Sequence, residues 1–159
     1  MAATPKSGPE PTPTVSLDRN LPAELRAAER TVRDIVHALR AAECNCGDLN
    51  EVQLALGEAL ANAVRHGCRL NPRKRISVQC RYHPAEGLWL VVRDPGAGFA
   101  PEKIPDPTQP ENLEKFGGRG IYLIRRLMDE VEFRDAGREI HMRRRPRPPA
   151  KAEQPRAGR

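Results

Sequence analysis

The apolar periodicity of this chain changes from about 3.6 residues to 2 between residues 63 and 76, and that change restricts the fold more than any other feature. Before it, Leu25, Ala28, Val32, Ile35, Val36 and Leu39 form one helical stripe that begins at Pro22. A second helix is predicted from Asp48, a capping residue type, through Val52, Leu54, Ala55, Ala59, Leu60 and Ala63. It should end at Gly67, which suits a left-handed C-terminal cap. Beyond the change, residues 75–82 alternate apolar and polar, residues 88–92 are apolar throughout, and Pro84-Ala85-Glu86-Gly87 joins them as a hairpin. Ile121, Leu123, Ile124, Leu127 and Met128 predict a short third helix, and residues 130–134 and 138–142 a hairpin around Asp135-Ala136-Gly137. Val15-Ser16-Leu17 reads as a short edge strand. Helices grouped against hairpins predict an α+β two-layer sandwich, with the helices on a mixed, mostly antiparallel sheet.

The 159 residues suit one domain. Residues 1–13 hold Pro5, Pro9, Pro11 and Pro13 and little that is apolar, so they read as a disordered lead-in, and residues 146–159 as a disordered basic Pro-rich tail. The domain is then 14–145. The net charge of +6 is matched by residues 143–159 alone, which carry seven basic residues and one acid. The rest is neutral, so the folded part offers no charge argument for direct nucleic-acid binding. Cys44-Asn45-Cys46 leaves one residue where zinc pairs need two to four, and no second pair follows, so Cys44, Cys46, Cys68 and Cys80 read as reduced thiols. No apolar run reaches signal-peptide length or the ~18 residues of a membrane span, which predicts a soluble, cytoplasmic protein without a membrane partner.

Three segments carry chemistry. Glu58 and Asn62 stand one turn apart on the second helix, with His66 a turn further. An Asn amide oxygen suits Mg²⁺, which keeps several waters beside substrate phosphates, and a neighbouring carboxylate can take a proton from an incoming hydroxyl. Asp94 stands where an apolar strand meets the turn Pro95-Gly96-Ala97-Gly98, a place where a carboxylate can accept from an exocyclic amine such as that of adenine. Gly117-Gly118-Arg119-Gly120 precedes a helix, so its free N–H groups and the positive helix end can hold phosphate. Each segment has a plainer alternative: a surface pair of Glu58 with Arg65, an ordinary Asp-Pro-Gly turn, and a glycine loop without a ligand. Residues 95–117 hold five prolines and little periodicity, which marks a long loop of the functional or disordered kind.

The order Glu-x-x-x-Asn-Ala, Asp-x-Gly-x-Gly, Gly-x-Gly resembles the ATPase domain of the GHKL superfamily (the Bergerat or histidine-kinase-like ATPase fold). The resemblance spans roughly residues 14–143. It rests on the ten residues from Glu58 to Gly67, on Asp94-Pro95-Gly96-Ala97-Gly98-Phe99, and on Gly118-Arg119-Gly120-Ile121 with Leu127-Met128-Asp129-Glu130-Val131 behind it. Within the superfamily the chain looks most like the bacterial anti-sigma-factor serine/threonine kinases. That resemblance implies ATP and Mg²⁺ as cofactors, Glu58 as general base and Asn62 as the Mg²⁺ ligand. It implies Asp94 on the adenine amine, Gly96 and Gly98 lining the base pocket, and residues 99–117 as a lid over the phosphates. Gly118 and Gly120 would stand at the lid's phosphate-binding end. The place where those kinases carry an arginine holds Phe116, flanked by Lys115 and followed by Arg119, either of which would take over the phosphate contact. The partners implied are a sigma factor and a STAS-domain anti-anti-sigma protein, and a homodimer is compatible with the same resemblance.

Two alternatives stay open on the sequence: an ATP-binding partner-switch module without phosphotransfer, and a stand-alone histidine-kinase-type catalytic domain. His37-Ala38-Leu39-Arg40 is a faint match to a phosphoacceptor box, but Ala41-Ala42-Glu43-Cys44 follows it instead of a proline and a second long helix. His66 reads as a helix-end hydrogen-bonding residue rather than a catalyst.

Overall fold

The computed structural model describes residues 12–104, 106, 108, 109, 111 and 119–148. Most of the two predicted disordered ends lies outside these residues. The elements in chain order are β1 (Val15–Pro22), α1 (Leu25–Ala41), α2 (Leu49–Asn62), β2 (Arg75–His83), β3 (Gly87–Arg93), α3 (Arg119–Leu127), β4 (Glu130–Arg134) and β5 (Glu139–Arg144). A π-helical turn, Ala63–Gly67, prolongs α2, and a 3₁₀ turn, Pro101–Lys103, lies between β3 and α3. The strands form one sheet in the order β1-β2-β3-β5-β4, antiparallel at each pairing.

The α+β sandwich expected from the sequence is present, and its layers follow from strand alternation. Ile76, Val78, Cys80 and Tyr82 of β2, Leu88, Leu90 and Val92 of β3, and Ile140 and Met142 of β5 are buried on one face. The register sets Cys80 opposite Leu90 and Val78 opposite Val92, so buried partners meet across the ladder. Ile35, Val36 and Leu39 of α1, Val52, Leu56 and Leu60 of α2, and Ile124 of α3 cover that face. Each such Leu, Ile or Val contributes about 1.5–3 kcal/mol by leaving water. Leu54, expected in the α2 stripe, is 47% exposed, whereas Leu56 is fully buried. Four-residue steps from Val52 reach Leu56 and Leu60, and Leu54 falls between them on the outer side.

β1 is longer than the three residues expected, because it pairs along all of its length, from Val15 opposite Tyr82 to Pro22 opposite Arg75. Its polar centre, Asp18-Arg19-Asn20, suits an edge strand, and Pro22 stands at its end, where the lost N–H costs least. Arg81 holds this edge by donating to the Asp18 carboxylate at 2.8 Å and to the Leu17 carbonyl at 3.0 Å.

β5 takes up part of the basic run counted over residues 143–159. Arg144 is 2% exposed, donating from Nε to the Leu127 carbonyl at 2.8 Å and from Nη1 to the Cys46 carbonyl at 3.0 Å. Its Nη2 pairs with Glu51. Arg143 lies over the Trp89 ring at 4.5 Å, and Arg145 and Arg147 pair with Glu130 and Asp129 at 2.6 and 2.9 Å. These four cations therefore belong to the folded body. A run of arginines hides its one buried member, since nothing local distinguishes Arg144 from its neighbours.

Candidate active site

α2 begins at Asp48, whose carboxylate accepts from the Asn50 N–H at 2.8 Å and caps the helix. Three turns later it presents Glu58 and Asn62, both half-buried. Neither side chain makes a hydrogen bond or ion pair with another described residue, so the surface pair of Glu58 with Arg65 is not formed. Gly120, in the first turn of α3, lies against both. A Cβ there would stand 2.8 Å from Glu58 Oε2 and 3.3 Å from Asn62 Nδ2. The missing side chain is what lets α3 approach the polar face of α2 this closely.

The end of α2 departs from expectation. The α-helix gives way at Ala63 to a π-helical turn, closed by the Cys68 N–H on the Ala63 carbonyl at 2.8 Å. Single π turns are frequent at functional sites. Gly67 is not the left-handed cap; the left-handed residues are Arg69 (φ 51°) and Leu70 (φ 57°). Gly67 is required for a different reason: a Cβ on it would overlap the carboxyl group of Asp94.

Asp94 follows β3 directly, and its N–H donates to the Arg138 carbonyl of β5's approach at 3.0 Å. Its Oδ1 accepts from the Gly96 N–H at 2.8 Å. Its Oδ2 accepts from no described residue. Burial pushes the Asp94 carboxyl above the ordinary carboxylate range, against the opposing pull of the Gly96 N–H and the nearby Arg138 charge. A Cβ on Gly96 would overlap the Gly67 carbonyl oxygen, so Gly67, Asp94 and Gly96 form one tight cluster. Gly98 does not join it. With φ of 79°, it packs on the carbonyl of Ala136, and the Phe99 N–H donates to that same oxygen at 2.9 Å. Phe99 then stacks edge-on to Phe133 at 5.3 Å.

The loop thus rests on the β4–β5 turn, a support that sequence spacing did not reveal. That turn is itself unusual: Asp135 and Ala136 have φ of 50° and 53°, a conformation L-residues adopt at a cost. Arg138 and Arg93 hold it by pairing with the Asp135 carboxylate at 2.7 and 3.2 Å. Lys115, Phe116 and Gly118 lie outside the described residues. Arg119 opens α3 and is exposed.

Among the described residues no three His, Cys, Asp or Glu side chains are grouped so as to hold a metal ion. A Mg²⁺ carried mainly by phosphate oxygens and water would need one protein oxygen, and the unpartnered Asn62 amide fits that requirement. A cleft of about 480 Å³ leads to Asp94 past Arg75, Arg93 and Arg138, and a groove of about 630 Å³ runs between α1 and α2 as far as Glu58.

The arrangement of an Asn-bearing helix, an Asp-Gly loop and a glycine-opened helix over one antiparallel sheet has a sequence-level counterpart. The family model described as the histidine kinase-like ATPase domain matches residues 21–144. The chain belongs to this family. This histidine kinase-like ATPase domain is also 32% identical over 91 residues to the serine-protein kinase RsbW of Oceanobacillus iheyensis, covering 54% of this chain and 57% of that one. It is 30% identical over 102 residues to the serine-protein kinase RsbW of Staphylococcus epidermidis, covering 60% and 64%. To the Bacillus licheniformis protein of the same name it is 31% identical over 102 residues, covering 60% and 63%. The match thus spans less than two thirds of the length of each of these relatives. Among the described residues of the ATPase domain no helix is long and apolar enough to cross a membrane.

Proposed function

We propose that this chain binds ATP with Mg²⁺ and is a protein serine/threonine kinase that also restrains a sigma factor, its phosphate acceptor being a STAS-type anti-anti-sigma protein in the cytoplasm. The observation that carries the nucleotide part is the half-buried Asp94 carboxylate, with one oxygen satisfied by the Gly96 N–H and the other left without a partner. A raised-pKa carboxylate with a spare acceptor is what an exocyclic amine would complete. Gly67 and Gly96 let the backbone close on this carboxylate, which would hold it in one orientation for an incoming base.

In this reading Asn62 would hold Mg²⁺, which when bound offsets the charge of the phosphates. Glu58, one turn earlier on α2, would accept the proton of the acceptor serine as its oxygen bonds to the γ-phosphorus and ADP leaves. Gly120 would keep α3 and its backbone donors against both residues, with Gly118, Arg119 and Lys115 toward the phosphates. The name of the relatives, serine-protein kinase, supports the acceptor class. Phe116, standing where an arginine is usual, favours the second reading, an ATP-binding switch that transfers no phosphate.

Incubation of the full chain with γ-labelled ATP, Mg²⁺ and a STAS-domain protein tests the proposal. Acid-stable label on serine or threonine of the STAS protein is the expected result. ATP binding without transfer would select the switch, acid-labile label would select the histidine-kinase-type alternative, and no ATP binding would remove all three.

A further inference from the structure

At the end of the β3–β5 ladder an acid and a base stand opposite one another without pairing. The last laddered pair is Arg93 with Glu139, and one step further the Asp94 N–H donates to the Arg138 carbonyl at 3.0 Å. Opposite charges that face each other across antiparallel strands attract. Yet no ion pair joins Asp94 to Arg138, although both line the same cleft of about 480 Å³. The Arg138 guanidinium goes to Asp135 instead. Its Nη2 donates to Asp135 Oδ1 at 2.7 Å and its Nε to Oδ2 at 3.1 Å, and the same Nε reaches the Asp135 carbonyl at 3.1 Å. Asp94 keeps the Gly96 N–H on Oδ1, and its Oδ2 is left open.

The turn holds Asp135 in place for this contact. With φ of 50° it has the left-handed conformation, which Asp adopts more readily than most residues. The Arg138 N–H donates to the Asp135 carbonyl at 3.1 Å and closes the turn. The Asp135 carboxylate also draws Arg93 at 3.2 Å, but Arg93 has a second acid, Glu139, at 3.0 Å. Arg138 is placed differently, since the two acids whose charge acts on it are Asp135 and Asp94. Its stem runs beside the Asp94 loop: a Cβ on Gly98 would stand 3.4 Å from Arg138 Cγ. A guanidinium released from Asp135 therefore has Asp94 as its remaining acid.

We propose that Asp135 is a positioning residue for the nucleotide: by holding Arg138 it keeps that cation off the open oxygen of Asp94. The oxygen then stays available to the exocyclic amine of a purine base. This role rests on the reading of Asp94 as the base acceptor. Two donors compete for one acceptor, and the charged guanidinium makes the stronger hydrogen bond to a carboxylate than a neutral amine does. Pairing with Asp135 decides that competition before the nucleotide arrives. Asp135 and Ala136, at φ of 50° and 53°, hold a strained turn, and strain of this kind collects at ligand sites. Without the turn's carboxylate the chain would neutralise its own base acceptor.

Calorimetry of the full chain with Mg²⁺ and either ATP or purine riboside triphosphate, which lacks the amine, tests this. Wild type should prefer ATP. Asn tolerates positive φ and Gly adopts it freely, so Asp135→Asn and Asp135→Gly should both keep the turn and melt within a few degrees of wild type. In each, ATP affinity should fall about fivefold or more, the factor by which an ion pair at the strong end of the exposed range would occupy the carboxylate. Affinity for the amine-free analogue should stay at the wild-type value. Adding Arg138→Gln to Asp135→Asn removes the competing cation and should restore ATP binding. A turn merely loosened by the loss of Asp135 would weaken both nucleotides alike, and the second substitution would not restore them. Equal binding of the two nucleotides by wild type, or no binding, would overturn the reading of Asp94 and this role with it. Where wild type prefers ATP, unchanged ATP affinity in a folded single variant, an equal loss for both nucleotides, or a double variant as weak as the single one would each overturn the role of Asp135 alone.

Discussion

The Asp94 carboxyl group lies across the Cα of Gly67, so close that a methyl group at position 67 would occupy the space of its carbon and both oxygens. The π-helical turn after Asn62 brings Gly67 to that place, and the Gly96 N–H holds Oδ1 from the other side at 2.8 Å. Gly67→Ala would have to push the carboxylate out of its cradle. The helix gains propensity from such a change, about 0.5–1 kcal/mol in an ordinary interior, so a stability loss here would report the contact rather than the helix. The expected outcome is ATP affinity reduced at least tenfold by calorimetry. Unchanged affinity would show that the base does not depend on Asp94 in its present position.

Asp94→Asn separates binding from stability. The amide keeps an oxygen for the Gly96 N–H but turns a donor toward the place of the base amine. Loss of a hydrogen bond to a charged group costs about 1.5–3 kcal/mol, so ATP affinity should fall on the order of tenfold to a hundredfold. Ligand-free stability should move the other way. The folded Asp94 carboxyl titrates above its unfolded value, chiefly through burial, so its charged form destabilises the fold. That cost is full above the folded pKa and disappears as pH falls below the unfolded value near 3.9. The variant should therefore melt above wild type at pH 7, with the gain shrinking toward pH 4. Thermal melts across that range check the sign.

Glu58→Ala tests the proposed base. The side chain has no partner among the described residues, so its loss should leave the melting temperature within a few degrees. A positioned general base is worth about 10²–10⁴-fold in rate, and ATP binding does not need it. At saturating ATP, transfer to a STAS partner should nearly stop while ATP affinity is retained. Equal transfer by variant and wild type would remove Glu58 from the mechanism.

Much of this site could be read along the chain, and the parts that could not share one physical cause. Glu58 and Asn62 were legible because one helical turn separates them, and Asp94 because a strand end and a glycine turn meet there. Gly67 was legible as a glycine but not as the floor under Asp94, because that contact joins two segments 27 positions apart in sequence. The same holds for Ala136, whose carbonyl receives the Phe99 N–H across the sheet. Leu54 and Leu56 were confused because both are leucines two residues apart on a helix whose whole apolar content is high. Arg144 looked like part of a solvated run because its three partners come from α2, the Cys46 loop and the end of α3. Periodicity reports the face a residue is on, not which distant group will meet it.

Arg144 is the side chain whose loss should destabilise the fold most among the polar residues. Arg144→Ala would leave the Cys46 and Leu127 carbonyls without their donor and remove the partner of Glu51. Breaking a buried charged network typically costs about 3–5 kcal/mol. Urea titration should show the midpoint shifted down by that energy divided by the slope, with the slope kept. Arg144→Met, which refills much of the volume, should recover part but not all of the loss, since the carbonyls stay unpaired. Full recovery would mean that the arginine acts by packing alone.

The point where the fold ends can be tested at Arg147. The sequence placed the boundary at residue 145, yet the Arg147 N–H donates to the Asn45 carbonyl at 2.7 Å and its guanidinium pairs with Asp129 at 2.9 Å. A backbone hydrogen bond contributes about 0.5–1.5 kcal/mol net, and a mostly exposed ion pair about 0.2–1 kcal/mol. Removing both should cost about 1–2 kcal/mol, which for a domain of this size lowers the melting temperature by about 3–6 °C. A chain of residues 12–148 should therefore melt with the full-length protein, and one of residues 12–145 should melt several degrees lower. The single variant Arg147→Ala keeps the backbone donor and should recover most of the difference. If 12–145 and 12–148 melt together, the strap across Asn45 contributes nothing to stability and the boundary belongs at 145.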